Sequence, residues 1–256
     1  MIIIKLQGGL GNQLFQWAFG KSLSIDLNTE LYLDLSFLYQ DIPGITKRYL
    51  ELNKFPLIQE KPIDIEYNQP LYIINDNTPI ENINKNSNYY LNGYFQKEKY
   101  FKHNKQIILN YLNLDSIKNN KFYEPIINCN SVSLHVRRTD YLLHQNYHPV
   151  QDIQYYNNAL NHMDNYDKIF VFSDDIEWCK NNLKYDNMVF VTGHSNIEDL
   201  ILMSYCKHNI IANSSFSWWS AWINQSNNKT VVAPKRWFGV QDNNSIGMIP
   251  DTWIQI

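Results

Sequence analysis

Cysteine is scarce. Three residues, Cys129, Cys179 and Cys206, stand far apart in 256. An odd, dispersed set with no CxxC pair excludes a disulfide scaffold, argues against a zinc site and suggests reduced thiols. Charge is sparse as well: Asp, Glu, Lys and Arg make up 18% and the formal net charge is −3, so no broad basic field exists to draw in nucleic acid. Long hydrophobic runs are missing. The opening Met1-Ile-Ile-Ile-Lys5 lacks the length and the preceding positive region of a secretory signal, and no stretch reaches the length of a transmembrane helix. The expected protein is soluble and cytoplasmic, a setting compatible with peripheral association at the inner membrane surface. Several chemical signatures are absent too. The chain has no Asp-x-Asp, no HExxH and no Ser-centred nucleophile elbow.

What remains is globular material. Apolar residues make up 44%, enough for one large core or two modest ones. The C-terminal half alternates short apolar runs with helical spacing. Strands are expected at 131–136, 168–173, 188–192, 208–212 and 230–233. Helices are expected at 152–165, 175–183, from 195 to about 206, and 217–225. Such alternation predicts βαβ units and a parallel sheet. In the N-terminal half a strand at 2–6, a helix at 12–26 and a strand at 30–35 are legible. Residues 40–125 mix short apolar runs with Pro, Asn and aromatic residues and yield no assignment. The polar stretch Lys118–Lys121, followed by Glu124-Pro125, is the best boundary, giving domains 1–125 and 126–256. The C-terminal tail is expected to pack back on the N-terminal domain.

Three strand-to-helix junctions carry chemistry. The first is Val132-Ser-Leu-His-Val-Arg-Arg-Thr-Asp-Tyr141, an apolar strand ending in Arg137 and Arg138 with Asp140 just beyond. Guanidinium forks suit phosphate oxygens, and open α/β sheets bind ligands at the carboxyl ends of their strands. A surface Arg–Asp cluster is the plainer alternative. His135 lies beside the arginines, where a strand histidine is usually a satisfied core group. The second junction is Asn213-Ser-Ser-Phe-Ser217, whose hydroxyls and helix-opening N–H groups make a phosphate cradle or, more simply, an N-cap. The tryptophans that follow, Trp218, Trp219 and Trp222, read as packing residues. The third is Ser173-Asp174-Asp175, read as helix capping with a ligand contact by one carboxylate. Glu198-Asp199 opens another helix, where the helix dipole favours carboxylates whatever their function; a carboxylate can also accept two N–H bonds from a guanine edge. In the N-terminal half, Gly8-Gly-Leu-Gly-Asn-Gln13 sits between strand and helix. Gly9 and Gly11 let backbone approach a ligand there, or form a tight turn; the third glycine of a dinucleotide fingerprint is missing, since that position is Leu14. The consistent reading is a nucleotide or sugar-nucleotide site.

Taken together, Gly8–Ala18, His135–Tyr141, Phe172–Asp175 and Ile211–Trp222 resemble the bacterial α-1,2-fucosyltransferase family, in matching order from residue 8 to about Trp237. Thr139 stands where those enzymes usually have Gly, and His-Val-Arg-Arg-Thr-Asp is similar to the related α-1,6-fucosyltransferases. The resemblance implies an α/β, GT-B-type glycosyltransferase of two Rossmann-like domains with parallel sheets, with the donor site in the C-terminal half. It implies GDP-L-fucose as donor, the 2-hydroxyl of a β-galactoside in a surface glycan as acceptor, inversion at the anomeric carbon, and no metal or cofactor. By the same resemblance Arg137 contacts the β-phosphate and His135 lies at the nucleotide. Asp199 accepts from guanine, Ser214, Ser215 and Ser217 surround the diphosphate, and Asn12 approaches the fucose. The donor-binding set is completed by Arg138, Gly9, Gly11, Gln13, Ser173, Asp174, Asn213 and Phe216. Asp140 either orients the arginines or takes the acceptor's proton. A fucosyltransferase of another linkage and a non-catalytic carbohydrate-binding protein are the alternatives. A strand-end arginine clamp argues against the latter, because a lectin needs no diphosphate site.

Overall fold

The computed structural model describes residues 1–41, 46–63, 71–80, 83–239 and 245–256. It divides into two compact units, 1–113 and 114–256. The division falls twelve residues before the boundary read at 125/126, because the polar stretch around Asn120 is tied into the second unit. Asn120 Nδ2 lies 3.2 Å from Glu198 Oε1, and Asn120 Oδ1 accepts from Phe122 N–H at 3.0 Å. Asn-rich composition marked exposure there, and exposure alone does not make a linker.

The first unit runs β1 (Ile2–Lys5), α1 (Leu10–Asp26), β2 (Leu31–Asp34), β3 (Lys61–Pro62), β4 (Leu71–Ile74), β5 (Asn88–Leu91) and α2 (Lys105–Tyr111). Its five strands are all parallel, in the order β3-β2-β1-β5-β4. α1 packs Leu14, Phe15, Trp17, Ala18, Phe19 and Leu23 into the core. Gly8, at the end of the strand, adopts φ +78°, and a Cβ there would stand 2.5 Å from Asn12 Nδ2. Only glycine suits that turn.

Gln13 shows why the turn is followed so abruptly by a helix. Its amide donates to the carbonyls of Gly8 (2.9 Å) and Tyr49 (2.8 Å) and accepts from Glu51 N–H (2.9 Å). The Glu51 carboxylate in turn accepts from Leu10 N–H at 3.0 Å, at the start of α1. A distant acidic side chain therefore does the work of an N-cap. Gln13→Ala leaves these buried backbone groups unsatisfied and is expected to destabilise the chain by about 2–4 kcal/mol in urea unfolding; a loss below about 0.5 kcal/mol contradicts this role.

The second unit runs α3 (Tyr123–Ile127), β6 (Ser131–Val136), α4 (Thr139–Leu143), α5 (Ile153–Leu160), β7 (Lys168–Ser173), α6 (Ile176–Asn182), β8 (Met188–Phe190), α7 (Asn196–Tyr205), β9 (His208–Ile210), α8 (Ser215–Ile223), β10 (Val231–Ala233) and β11 (Ile254–Gln255). The expected strands and helices are present, with ends shifted by a few residues. The sheet order is β8-β7-β6-β9-β10-β11, all parallel. Read from the β8 edge this is third, second, first, fourth, fifth, sixth: the doubly wound order, with its switch point between β6 and β9. β6 is buried along its whole length, as the central strand of a covered parallel sheet should be. Its polar side chains are satisfied internally: Ser133 Oγ accepts from Asn209 Nδ2 at 2.7 Å, and Ser131 Oγ donates to the Ile126 carbonyl at 2.9 Å. Trp218, Trp219 and Trp222 are buried in α8 and pack against one another, as expected of core residues. In the tail, β11 extends the second unit's own sheet, pairing Val232 with Ile254. Its two residues are too short to show strand periodicity in sequence.

Candidate functional site

The carboxyl ends of β6, β7 and β9 bring together most of the residues singled out in the second half of the sequence. Arg137 leaves β6 with its side chain about one-quarter exposed (25%). One terminal nitrogen is 2.7 Å from Asp140 Oδ2 and the other 3.2 Å from Asp174 Oδ2. Burial opposes its charge, but Asp174 and Asp140 more than offset that and hold its pKa above the usual arginine value. Two of the five guanidinium donors are thus engaged, and the fork is fixed with others left for a ligand.

Asp174 is the hub of this arrangement. Oδ1 accepts from Arg138 N–H at 2.9 Å, and Oδ2 accepts from Thr139 N–H at 3.2 Å and from the Thr139 hydroxyl at 2.5 Å. It therefore sets the backbone of the turn that aims Arg137. Thr139 uses its hydroxyl on the neighbouring loop. Asp175 caps α6, accepting from Trp178 N–H at 3.2 Å, and its amide donates to Ser173 Oγ at 2.9 Å. Capping, read from the Asp pair, holds for Asp175, and Ser173 supports it. Arg138 is likewise committed within the fold: its Nε lies 3.2 Å from Asp175 Oδ2 and its guanidinium 4.1 Å from the Trp178 ring. These contacts fix the Arg138 guanidinium through Nε and its stacked face.

His135 is buried with Nδ1 unpartnered, 5.6 Å ring to ring from Phe216. Burial drives its pKa to about 4, with Asp174 partly offsetting this and Arg137 adding to it. The imidazole is neutral at physiological pH and offers a hydrogen bond, not a charge. The Tyr141 ring, 5.5 Å from the Arg137 guanidinium, stacks on His148 at 4.5 Å; its hydroxyl donates to the Asn213 carbonyl at 3.0 Å. Burial raises the Tyr141 pKa to about 12, so it stays a donor. Sequence reasoning missed Tyr141 and His148. A tyrosine after the arginines and a histidine in a loop carry no spacing signal of their own.

Asn213 does not face outward. Its amide accepts from Gln151 Nε2 (3.1 Å) and donates to the carbonyls of Pro149 (3.0 Å) and Trp237 (2.9 Å). Ser217 is fully buried, its hydroxyl 3.3 Å from the Ser214 carbonyl. Both side chains shape the turn from within. Ser214, Ser215 and Phe216 remain at the opening of α8, where the first-turn N–H groups have no intrahelical acceptor.

Asp199 sits in the first turn of α7, which begins beyond β8. Burial, then the charge of Glu198, raises its pKa to about 7. Its Oδ1 is shut off from water without a partner. Such a carboxyl is suited to a ligand that brings its own donors.

The glycine loop belongs to the first unit. Gly9 is the N-cap of α1 and Gly11 lies within the helix. At this helix start the Glu51 carboxylate accepts from Leu10 N–H, and the Gln13 side chain is fully engaged by backbone groups. The Gln13 side chain therefore has no hydrogen-bonding group left over. Asn12 Oδ1 accepts from Gln96 Nε2 at 2.8 Å, and the Arg48 guanidinium lies 3.9 Å from where a Gly9 Cβ would stand. Arg48 and Gln96 come from the stretch that gave no sequence assignment.

Among the described residues no group of three or more His, Cys, Asp or Glu side chains is arranged to hold a metal ion, and no helix is long and apolar enough to cross a membrane. The three cysteines are unpaired.

Residues 63–254 match glycosyl transferase family 11. The O-antigen biosynthesis glycosyltransferase WbnK of Escherichia coli is 32% identical over 98% of this chain and 99% of its own length. An Escherichia coli α-1,2-colitosyltransferase is also 32% identical, over 100% of this chain and 99% of its own. Among solved structures, the fucosyltransferase NodZ from Bradyrhizobium shares the fold, with a TM-score of 0.54 and 15% identity over 86% of this chain and 90% of that one. NodZ α-1,6-fucosyltransferase soaked with GDP-fucose matches equally, covering 87% and 91%. The GT-B-type, parallel-sheet fold expected from the sequence is the fold of these proteins.

Proposed function

The chain belongs to glycosyl transferase family 11, and from that premise we propose that it transfers L-fucose from GDP-L-fucose to the 2-hydroxyl of a β-galactoside, inverting the anomeric carbon. The observation that carries this reading is Arg137, aimed from the switch point by Asp140 and Asp174, with the opening of α8 and a neutral His135 alongside. The acceptor oxygen attacks C1 of the sugar on the face opposite the diphosphate. The bond from C1 to the β-phosphate oxygen breaks, its electron pair leaves with GDP, and the hydroxyl proton passes to a base. Negative charge grows on the β-phosphate as that bond lengthens. Arg137 and the N–H groups at the α8 opening are placed to stabilise it without a cation. Asp140 holds the guanidinium through Oδ2, which favours the orienting role over that of base. Asn12 is the residue of the first unit to which the family resemblance gives a contact with the transferred sugar.

A second reading keeps the chemistry and changes the donor. The α-1,2-colitosyltransferase aligns with the whole chain, and colitose is L-fucose lacking the 3-hydroxyl. Three unpaired cysteines support a cytoplasmic reaction. Incubation with GDP-fucose or GDP-colitose and lactose or galactosyl-N-acetylhexosamines, followed by linkage analysis, tests both readings. The expected product is a galactose substituted at O2 by fucose. Faster transfer from GDP-colitose moves the assignment to the 3-deoxy sugar, and substitution at O6 overturns the linkage.

A further inference from the structure

The turn that opens α7 holds two polar atoms buried without partners, His194 Nε2 and Asp199 Oδ1. Ser195 is the N-cap of this helix, and with Glu198 it forms a complete capping box. His194 is thus the residue before the cap and Asp199 the fourth residue of the helix. In helices opened by a capping box, side chains at these two positions meet and are ordinarily both apolar, packing as a staple. Here one is an imidazole and the other a carboxylate. Leaving such atoms unpaired is unfavourable, so a polar pair in a place that suits leucines points to a ligand.

The structure also fixes which hydrogen-bonding character each atom presents. Asn120 Oδ1 accepts from Phe122 N–H at 3.0 Å, and its Nδ2 is 3.2 Å from Glu198 Oε1. A donor on one side and a carboxylate on the other set the amide's orientation. The same Nδ2 lies 3.0 Å from His194 Nδ1 and therefore donates to it. With Nδ1 accepting, the proton of the neutral ring is on Nε2. The Phe122 ring stands edge-on to the imidazole at 5.2 Å and holds its plane. The turn thus presents a donor, His194 Nε2–H, in the same capping turn as an acceptor, the Asp199 carboxylate.

Guanine is complementary to that pair. Its Watson–Crick edge offers N1–H and the 2-amino group as donors and O6 as acceptor. Adenine offers an unprotonated N1, which repels a carboxylate. Resting on the GDP-sugar reading above, we propose that His194 completes base recognition by donating from Nε2 to O6, while Asp199 accepts from N1–H and the 2-amino group. Asn120 is then a positioning residue that fixes the tautomer.

The test is a cycle that alters the protein group and the ligand atom separately. Calorimetric affinities are measured for the full chain and for His194→Ala with GDP and with 6-thio-GDP, in which the weak acceptor sulfur replaces O6. His194→Ala is expected to weaken GDP about tenfold, the size of one hydrogen bond, and 6-thio-GDP less than about twofold. His194→Gln, which keeps an N–H donor, is expected to recover most of the GDP affinity. Equal losses for both ligands, or no loss for GDP, overturn the proposal. Were the alanine variant unfolded, the wild-type chain still decides: 6-thio-GDP is expected to bind about tenfold more weakly than GDP, and equal binding refutes the O6 contact. A wild-type chain that binds ADP as well as GDP refutes the parent reading instead, so the two failures are distinguishable.

Discussion

Arg137→Ala is expected to lower transfer from GDP-fucose by about 10³-fold, while leaving the chain folded. The size follows from when the interaction matters most. The β-phosphate gains charge as the glycosidic bond breaks, so a fixed guanidinium stabilises the transition state more than the bound donor. The fold should tolerate the change because Asp174 keeps the two backbone N–H groups and the Thr139 hydroxyl that it already accepts from. Arg137→Lys retains the charge and loses the fork held between Asp140 and Asp174. It should restore part of the donor affinity and little of the rate. Initial rates at saturating acceptor, beside melting curves for each variant, check this. A variant that folds and transfers at the wild-type rate removes Arg137 from the mechanism.

Asp199→Asn is expected to do two opposite things: stabilise the free protein at pH 8 by about 1–3 kcal/mol and weaken GDP binding by about 10²-fold. The sign follows from the raised pKa. Burial, reinforced by Glu198, lifts the folded-state carboxyl from 3.8 to about 7. Below pH 3.8 it is protonated in both states and has no effect on stability. Between 3.8 and 7 the unfolded chain has released the proton while the folded chain keeps it, so the contribution to stability declines with rising pH. Above 7 the full penalty remains. The advantage of the asparagine variant should therefore be present at pH 8 and vanish near pH 4. Donor binding runs the other way, because the two N–H groups of the base require the carboxylate. Affinity should rise as pH increases through 7, by up to about tenfold per unit below it, and the variant should lose that slope. Urea unfolding and calorimetry across pH 5.5–8.5 read both effects. An asparagine variant less stable than wild type at pH 8 contradicts the account of the buried carboxyl.

The second unit was largely legible because its strands are buried on both faces. β7 carries the apolar run Ile169–Phe172 and β6 the apolar residues Val132, Leu134 and Val136; both stop at turn residues, and their ends agree with the structure. The start of α7, expected at 195, agrees with the structure, where Ser195 and Glu198 form a capping box. β4 and β5 gave no such signal: Leu-Tyr-Ile-Ile and Asn-Tyr-Tyr-Leu are short and flanked by Asn and Pro. The site was legible in its types and less so in its roles. Arg137 and Asp174 meet as the strand-end argument requires, yet Asn213, Ser217 and Gln13 face inward, because a polar residue beside a turn serves the turn's own backbone as readily as a ligand. Glu51 at the start of α1 was beyond reach, since its partner lies 41 residues away. His194 was within reach: a histidine immediately before a capping box, with an aspartate at the facing helical position, breaks the apolar staple rule in a way that sequence alone displays.

The most direct measurement is the affinity of the wild-type chain for GDP and for GMP, titrated by calorimetry in excess chelator. The account predicts that GDP binds at least about 10²-fold more tightly, because the outer phosphate is the one that Arg137 and the α8 opening are placed to receive. Equal affinity for the two nucleotides, or binding that returns only when a divalent cation is added, would contradict it.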